Sequence, residues 1–149
     1  MQENKKHPTE VVEQWVTKIS TKNEDLGGHK ICPFARRPRV IAVEKLCLEN
    51  FLNLDDQITV YMETGLHSSY EELEEFCRTL KEQNPNFIFL PDHPSKKNYI
   101  KSHETGNGSY PCIIVQTRQE LDTARAALDK TDYYTYWDQT YLAEIRSFD

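Results

Sequence analysis

The cysteines of this 149-residue chain form no Cys-x-x-Cys pair. Such pairs supply the ligands of zinc ribbons and the dithiols of thioredoxin-like redox sites, so both classes of site are excluded. Because disulfides are rare in reducing compartments, we expect isolated cysteines of this kind to stay reduced. The four cysteines are Cys32, Cys47, Cys77 and Cys112.

The chain also lacks long apolar runs. No stretch approaches the ~20 consecutive apolar residues that cross a bilayer, so we expect no membrane insertion. Residues 1–7 carry neither the apolar core of a signal peptide nor the arginine-rich pattern of a transit peptide. We therefore expect a cytoplasmic protein, or a mature protein inside an organelle.

Basic residues are outnumbered, with 18 Lys and Arg against 24 Asp and Glu, and the net charge is -6. Since nucleic-acid binding needs a basic face that neutralises phosphates, we expect no nucleic-acid partner. The composition, 38% hydrophobic and 11% aromatic, is typical of a globular protein. The length suits one domain, so we predict a single domain over 1–149 with a polar tail at 1–7.

Hydrophobic periodicity predicts helices alternating with strands. This order favours an α/β fold, with α+β as the alternative, built on a four-stranded sheet, mostly parallel or mixed, that is covered by helices. The direction of the fourth strand stays open because the long segment 91–110 precedes it, and connections of that length are usually functional or mobile. The predicted strands cover 40–43, 58–62, 87–90 and 112–115.

Two Ser/Thr-x-x-Glu patterns predict helix starts, one at Ser68 with Glu71 and the other at Thr117 with Glu120. The first follows a turn that also contains His67. Because a helix N-terminus presents free N–H groups and a positive dipole end, His67 and Ser68 are candidate ligands for an anion. The alternative is a plain capping box.

A thiol stands just ahead of three arginines. Cations close to a cysteine favour the thiolate, which is the nucleophilic form, so Cys32 is a candidate catalytic residue. The arginines Arg36, Arg37 and Arg39 are candidates for binding a small anion. The alternative is that Cys32 is a small buried hydrophobe, as most unpaired cysteines are.

His93 follows the end of the third predicted strand. Ligands of open α/β sheets gather beyond the carboxyl ends of the strands, so His93 is a candidate general base that Asp92 could orient. The alternative is a histidine that caps a turn between two prolines. His103 is a weaker candidate, and because the spacing matches no metal motif we expect no metal site. The sequence specifies no cofactor.

The chain resembles a bacterial family of unknown function at four places. The matching features are a tryptophan on the first helix, Trp15, a Cys-Pro-Phe-Ala motif at 32–35, a His-Pro pair at His93 and a Tyr-Pro pair at Tyr110. In place of an Asn-Arg-Ala-Pro-like stretch before the Tyr-Pro pair, this chain has Thr-Gly-Asn-Gly-Ser. The resemblance implies a shared fold and a site near these positions, which adds Tyr110 to the candidate ligand-binding residues.

Aromatic residues are concentrated near the C-terminus, where they suit either a docked terminal helix or a protein interface. Two function classes follow, and whether the protein is an enzyme stays open. In the first, a small domain holds a small anionic metabolite in a pocket built around Cys32 and His93. In the second, a non-catalytic interaction or accessory subunit of a larger assembly uses the aromatic surface. These aromatic residues are Tyr133, Tyr134, Tyr136, Trp137 and Tyr141.

Overall fold

The computed structural model describes residues 6–32 and 37–149. Arg36 and the Pro-Phe-Ala part of the 32–35 motif lie outside the described residues. The α-helices are α1 (Pro8–Ile19), α2 (Tyr70–Gln83), α3 (Arg118–Asp129) and α4 (Gln139–Arg146). The strands are β1 (Arg39–Val43), β2 (Thr59–Glu63), β3 (Phe87–Asp92), β4 (Tyr99–Ile100), β5 (His103–Glu104) and β6 (Cys112–Thr117). Short 3₁₀ helices cover Glu24–Leu26, Leu48–Phe51 and Tyr133–Tyr136.

The main sheet has four strands in the order β1-β2-β6-β3. Strand β1 is parallel to β2, whereas β6 is antiparallel to both β2 and β3. The structure is therefore α/β with a mixed sheet, and the mostly parallel alternative does not apply. Since β1, β2 and β3 run in one direction, their carboxyl ends lie along one edge of the sheet.

Helices cover both faces of this sheet. On one face, Leu73, Cys77 and Leu80 of α2 pack against a cluster that includes Phe89 and Ile113. Burial of each large apolar side chain contributes about 1.5–3 kcal/mol, so this stripe secures α2.

The opposite face carries a second cluster, in which Val12 and Trp15 of α1 pack with Val60, Met62 and Cys112. These strand residues alternate with those of the α2 face, as the two-residue period of a strand requires. Helices α3 and α4 lie on the same face as α1, since residues of all three helices line one cavity against Val60 and Ile114. None of the helices in the described ranges is long and apolar enough to cross a membrane.

The start of α2 differs by one residue from the sequence prediction. Ser69, not Ser68, is the N-cap, and its hydroxyl accepts a hydrogen bond from the Glu72 N–H at 3.1 Å. Glu72 Oε1 accepts from the Ser69 N–H at 3.1 Å and completes the capping box. Ser68 cannot fill this role because its hydroxyl donates to Glu63. The second predicted cap is confirmed, as Thr117 accepts from the Glu120 N–H at 3.2 Å.

The segment 91–110 is ordered by hydrogen bonds to distant parts of the chain. It contains the β4–β5 hairpin, beyond which the Thr105 N–H donates to the Asn98 carbonyl at 2.9 Å. The Trp15 indole N–H donates to the Thr105 carbonyl at 2.8 Å, and the Thr105 hydroxyl lies 2.8 Å from the Tyr141 hydroxyl. Thr105 therefore joins α1 to α4.

The aromatic residues near the C-terminus do not lie on one helix. The 3₁₀ helix Tyr133–Tyr136 ends before α4, whose N-cap Asp138 accepts from the Tyr141 N–H at 3.0 Å. The Trp137 ring stacks on that of Tyr141, with ring centroids 5.2 Å apart. Tyr133 is buried, and the other four aromatic side chains of this group are partly buried.

Candidate functional site

The carboxyl edge of the sheet contains a fully buried carboxylate, Glu63, at the end of β2. Its Oε2 accepts from the Leu46 N–H at 2.9 Å and from the Ser68 hydroxyl at 2.8 Å, and its Oε1 accepts from the Ser68 N–H at 2.6 Å. Burial alone would raise the pKa of Glu63, but these hydrogen bonds and one from the His67 N–H hold it below the ordinary value of 4.5. Glu63 therefore fixes the turns after β1 and β2.

The sequence predictions missed Glu63. The available signal was one acidic residue ending an otherwise apolar strand, just before a turn rich in N–H and hydroxyl donors. The same contacts occupy Ser68, which had been a candidate anion ligand. His67 likewise faces a carboxylate, since its Nε2 lies 3.1 Å from Glu44 Oε1.

Of the three candidate arginines, the two that the structure describes bind acidic or amide side chains outside the turn at His67. Arg37 pairs with Glu13 of α1. Arg39 donates to Asp55 Oδ2 at 2.6 Å and to Gln57 Oε1 at 2.8 Å. Because Arg39 begins β1, it lies at the opposite end of the strands from His67, and the two do not form one anion site.

His93 lies in the turn after β3, and both of its ring nitrogens form hydrogen bonds. Its Nε2 donates to the Ser68 carbonyl at 2.8 Å, and its Nδ1 accepts from the Ser95 N–H at 3.0 Å. This pattern fixes the tautomer that is protonated at Nε2. His93 therefore ties the turn between two prolines to the start of α2, which matches the alternative drawn from the sequence.

Tyr110 is buried in the cluster beneath α1, together with Trp15 and Cys112. Its hydroxyl donates to the Lys6 carbonyl at 2.8 Å, and its backbone N–H donates to Asn107 Oδ1 at 2.9 Å. These contacts hold the chain ahead of α1 against the Asn-Gly turn that precedes β6.

A cleft lies between the sheet, α1, α3, α4 and the aromatic 3₁₀ helix. It has two chambers, of about 260 Å³ and about 180 Å³, named here the Arg125 chamber and the Asp92 chamber after a charged residue that lines each. Both are lined mainly by apolar and aromatic side chains. The residues shared by the two chambers are Trp15, Ile19, Cys32, Leu90, Ile114, Tyr133, Trp137 and Ile145.

Cys32 lies where the two chambers meet. Its backbone N–H donates to the Ile19 carbonyl at 2.8 Å, which anchors the residue to the end of α1. The Tyr133 hydroxyl donates to the neighbouring Ile31 carbonyl. The thiol that the sequence singled out therefore lies beside a cavity. None of the four cysteines forms a disulfide.

The Asp92 chamber has a polar end formed by Asp92, Thr105, Tyr141 and Glu144. Burial raises the pKa of Tyr141 to about 12, so its hydroxyl stays protonated at neutral pH. Glu144 Oε1 accepts from the Tyr70 hydroxyl at 3.1 Å and pairs with Lys96. This end of the cleft therefore presents carboxylates and hydroxyls.

Asp92 is held by one side of its carboxylate. The backbone N–H and the side-chain amide of Asn107 both donate to Asp92 Oδ2, at 3.0 and 2.5 Å. Asp92 Oδ1 lies against Gly106, where a Cβ would be 2.6 Å from that oxygen. Burial raises the pKa of Asp92 despite the hydrogen bonds from Asn107. The sequence indicated Asp92 but gave no sign of its partner Asn107.

The Arg125 chamber is the more apolar of the two. Arg125 lines it, but Arg125 Nη1 donates to both carboxylate oxygens of Asp149, at 2.5 and 2.6 Å. The other lining residues from α3 include Leu121, Ala124 and Leu128. A bound molecule in this chamber would therefore meet an apolar wall beside a neutralised guanidinium.

The structure thus brings together Cys32 and Asp92 of the sequence-predicted site, in the Asp92 chamber. His93 and Tyr110 are not among the residues that line either chamber. Within residues 6–32 and 37–149, no group of three His, Cys, Asp or Glu side chains is arranged to hold a metal ion.

No protein-family model matches this chain, and no curated protein or solved structure matches it either. The resemblance at Trp15, Cys32, His93 and Tyr110 remains a hypothesis.

Proposed function

We propose that the protein binds a small, largely apolar molecule in the cleft. The observation that carries this proposal is the pair of adjoining chambers, lined by Trp15, Cys32, Tyr133 and Trp137 and closed at one end by polar groups. Small-molecule sites are typically apolar concavities with a few placed polar groups. An apolar cavity of roughly 150 Å³ is already large enough to bind benzene.

The anionic metabolite expected from the sequence finds less support than a neutral or cationic molecule. Arg37 and Arg39 bind Glu13 and Asp55 away from the cleft. Among the described lining residues the cleft has one basic side chain, Arg125, whose charge Asp149 offsets.

Binding is the function that the geometry favours over thiol catalysis. The expected base, His93, uses both ring nitrogens within its own turn and the start of α2. Cys32 then serves as a lining thiol that contacts the bound molecule. We also propose that the chain is a divergent relative of the Cys-Pro-Phe-Ala family, which is supported by the position of Trp15 and Cys32 in one cleft.

The alternative of an accessory subunit that docks through its C-terminal aromatic residues has weaker support. The Tyr133 hydroxyl binds the Ile31 carbonyl, Trp137 stacks on Tyr141, and these rings line the cleft. Because these rings pack against each other and line the cleft, they leave little exposed aromatic surface for a protein partner.

Tryptophan fluorescence tests the proposal, because the chain has two tryptophans and both line the cleft. The probe is 2-phenylethanol, which is neutral and small. We expect a saturable change in emission with Kd on the order of 1 mM or lower, which is within reach of a ligand of this size.

Two alanines of α3 give a matched pair of variants. Ala124 lines the Arg125 chamber, whereas Ala127 is exposed on the same helix. Ala124→Leu should weaken binding of 2-phenylethanol about tenfold or more because it fills the chamber, and Ala127→Leu should leave binding unchanged. A linear, unsaturable change in the wild type, or an equal response of both variants, would contradict the proposal.

A further inference from the structure

We propose that the molecule bound in the cleft is a cationic amine, whose ammonium group binds Asp92 while its apolar body lies against Cys32 and Trp137. This inference rests on the proposed function of the cleft and specifies the chemical class of its ligand.

The first support is the free side of the Asp92 carboxylate. All its hydrogen bonds reach Oδ2, from the two nitrogens of Asn107 and, at 3.9 Å, from the Cys112 thiol. Among the described residues Oδ1 has no hydrogen-bond donor, and Asp92 lines the chamber together with Gly106. Asp92 is partly buried and lines the chamber, so an ammonium group there can reach Oδ1 and donate a charge-assisted hydrogen bond to it.

The second support is the sign of the charge around this oxygen. The described residues lining the Asp92 chamber include Asp92 and Glu144 and no Lys, Arg or His. Glu104 raises the pKa of Asp92 further, whereas His93, which does not line the chamber, lowers it. Lys96 offsets Glu144 from outside the lining, and among the described residues no Lys or Arg forms an ion pair with Asp92.

The third support is the wall of the chamber. Trp15, Tyr133, Trp137 and Tyr141 surround the space next to the acidic end. The faces of aromatic rings attract cations, most strongly when water is excluded, whereas they do not favour anions. An apolar chamber that ends in aromatic rings and a carboxylate suits an arylalkyl amine.

Three probes of similar size separate this inference from the proposed function. They are 2-phenylethylamine as the cation, 2-phenylethanol as the neutral analogue and phenylacetate as the anion. By tryptophan fluorescence we expect the amine to bind about tenfold tighter than the alcohol, and phenylacetate to bind most weakly. If the alcohol does not bind, the proposed function fails; if the alcohol binds and the amine binds no tighter, only the inference is overturned.

Asp92→Asn removes the charge with little other change. An asparagine amide oxygen in place of Oδ2 still accepts from both nitrogens of Asn107, and its NH₂ takes the place of Oδ1. We expect this variant to lose the tenfold preference for the amine over 2-phenylethanol, measured as the ratio of the two Kd values on the same variant.

Glu104→Gln is the matched control. Glu104 lies near Asp92 but does not line the chamber, so its substitution should change the amine affinity by less than about twofold. Equal losses in both variants, or an amine preference that survives Asp92→Asn, would overturn the inference.

Discussion

Asp92 and Asn107 meet at the polar end of the cleft, where two nitrogens of Asn107 donate to the same carboxylate oxygen, Asp92 Oδ2. This contact joins the end of β3 to the turn before β6 and leaves the other carboxylate oxygen beside Gly106. Asp92 can therefore hold two segments of the fold together through Oδ2 and bind a ligand through Oδ1.

Asp92→Asn should change stability in a pH-dependent way. Because burial raises the pKa of Asp92, the protonated form favours folding at low pH, and that contribution is lost as the pH rises through the raised pKa. The variant carries no such charge. Its free energy of unfolding, measured by denaturant titration, should therefore rise relative to wild type as the pH increases above about 4. A variant that loses stability relative to wild type as the pH rises would contradict this assignment.

Glu63→Gln should lower the free energy of unfolding by about 2–4 kcal/mol at neutral pH, because an NH₂ group replaces one carboxylate oxygen and leaves buried donors of Leu46 or Ser68 without an acceptor. The lowered pKa of Glu63 means that its contribution is present above about pH 4.5 and is lost as the pH falls through the folded-state value. The difference between variant and wild type should therefore shrink in acid.

Urea titrations at neutral and acidic pH test this prediction for Glu63. Glu75→Gln, on the exposed side of α2, is the control and should change the free energy of unfolding by less than about 0.5 kcal/mol. If Glu63→Gln is as mild as the control, Glu63 does not organise the two turns.

Ala124→Leu also tests whether the Arg125 chamber is open space. Filling a cavity with apolar atoms should raise the free energy of unfolding by about 0.5–2 kcal/mol, whereas overpacking a filled core costs about 1–3 kcal/mol. A rise in the melting temperature of Ala124→Leu relative to Ala127→Leu would indicate cavity filling, and a fall would indicate overpacking. Destabilisation that is confined to Ala124→Leu would argue against the chamber.

Ligand binding should protect Cys32 from alkylation. Cys32 and Cys47 are both partly exposed, while Cys77 and Cys112 are buried, so two thiols are open to a water-soluble alkylating agent. Cys47 lies away from the cleft and serves as an internal control. Mass spectrometry of alkylated peptides should show slower modification of Cys32 with saturating 2-phenylethylamine and an unchanged rate at Cys47. Equal rates with and without the amine would place the ligand elsewhere.

Much of the fold followed from local patterns. The alternation of helices and strands, the four apolar strands and the cap at Thr117 depend on neighbouring residues, and each appears as predicted. The cap of α2 was misplaced because Ser68 and Ser69 both suit the pattern, and the choice between them depends on Glu63, a residue from another strand.

The site was harder to predict because its contacts are long-range. Cys32 and Asp92 could be named from the sequence, but no local pattern places them in one chamber or separates them from His93. The sequence left the direction of the fourth predicted strand open, and the position of the site depends on that direction. Since β6 runs antiparallel between β2 and β3, it brings Asn107 beside Asp92 and fixes the polar end of the cleft.

Chemical-shift mapping of the backbone and methyl groups by NMR during titration with 2-phenylethanol tests the central claim most directly. We predict saturable shifts concentrated at residues that line both chambers, among them Trp15, Cys32, Ile114 and Trp137, with Phe51 and Leu73 on the opposite face of the sheet unaffected. Shifts that are absent, or that cluster on the α2 face, would contradict the proposal that this cleft is the binding site.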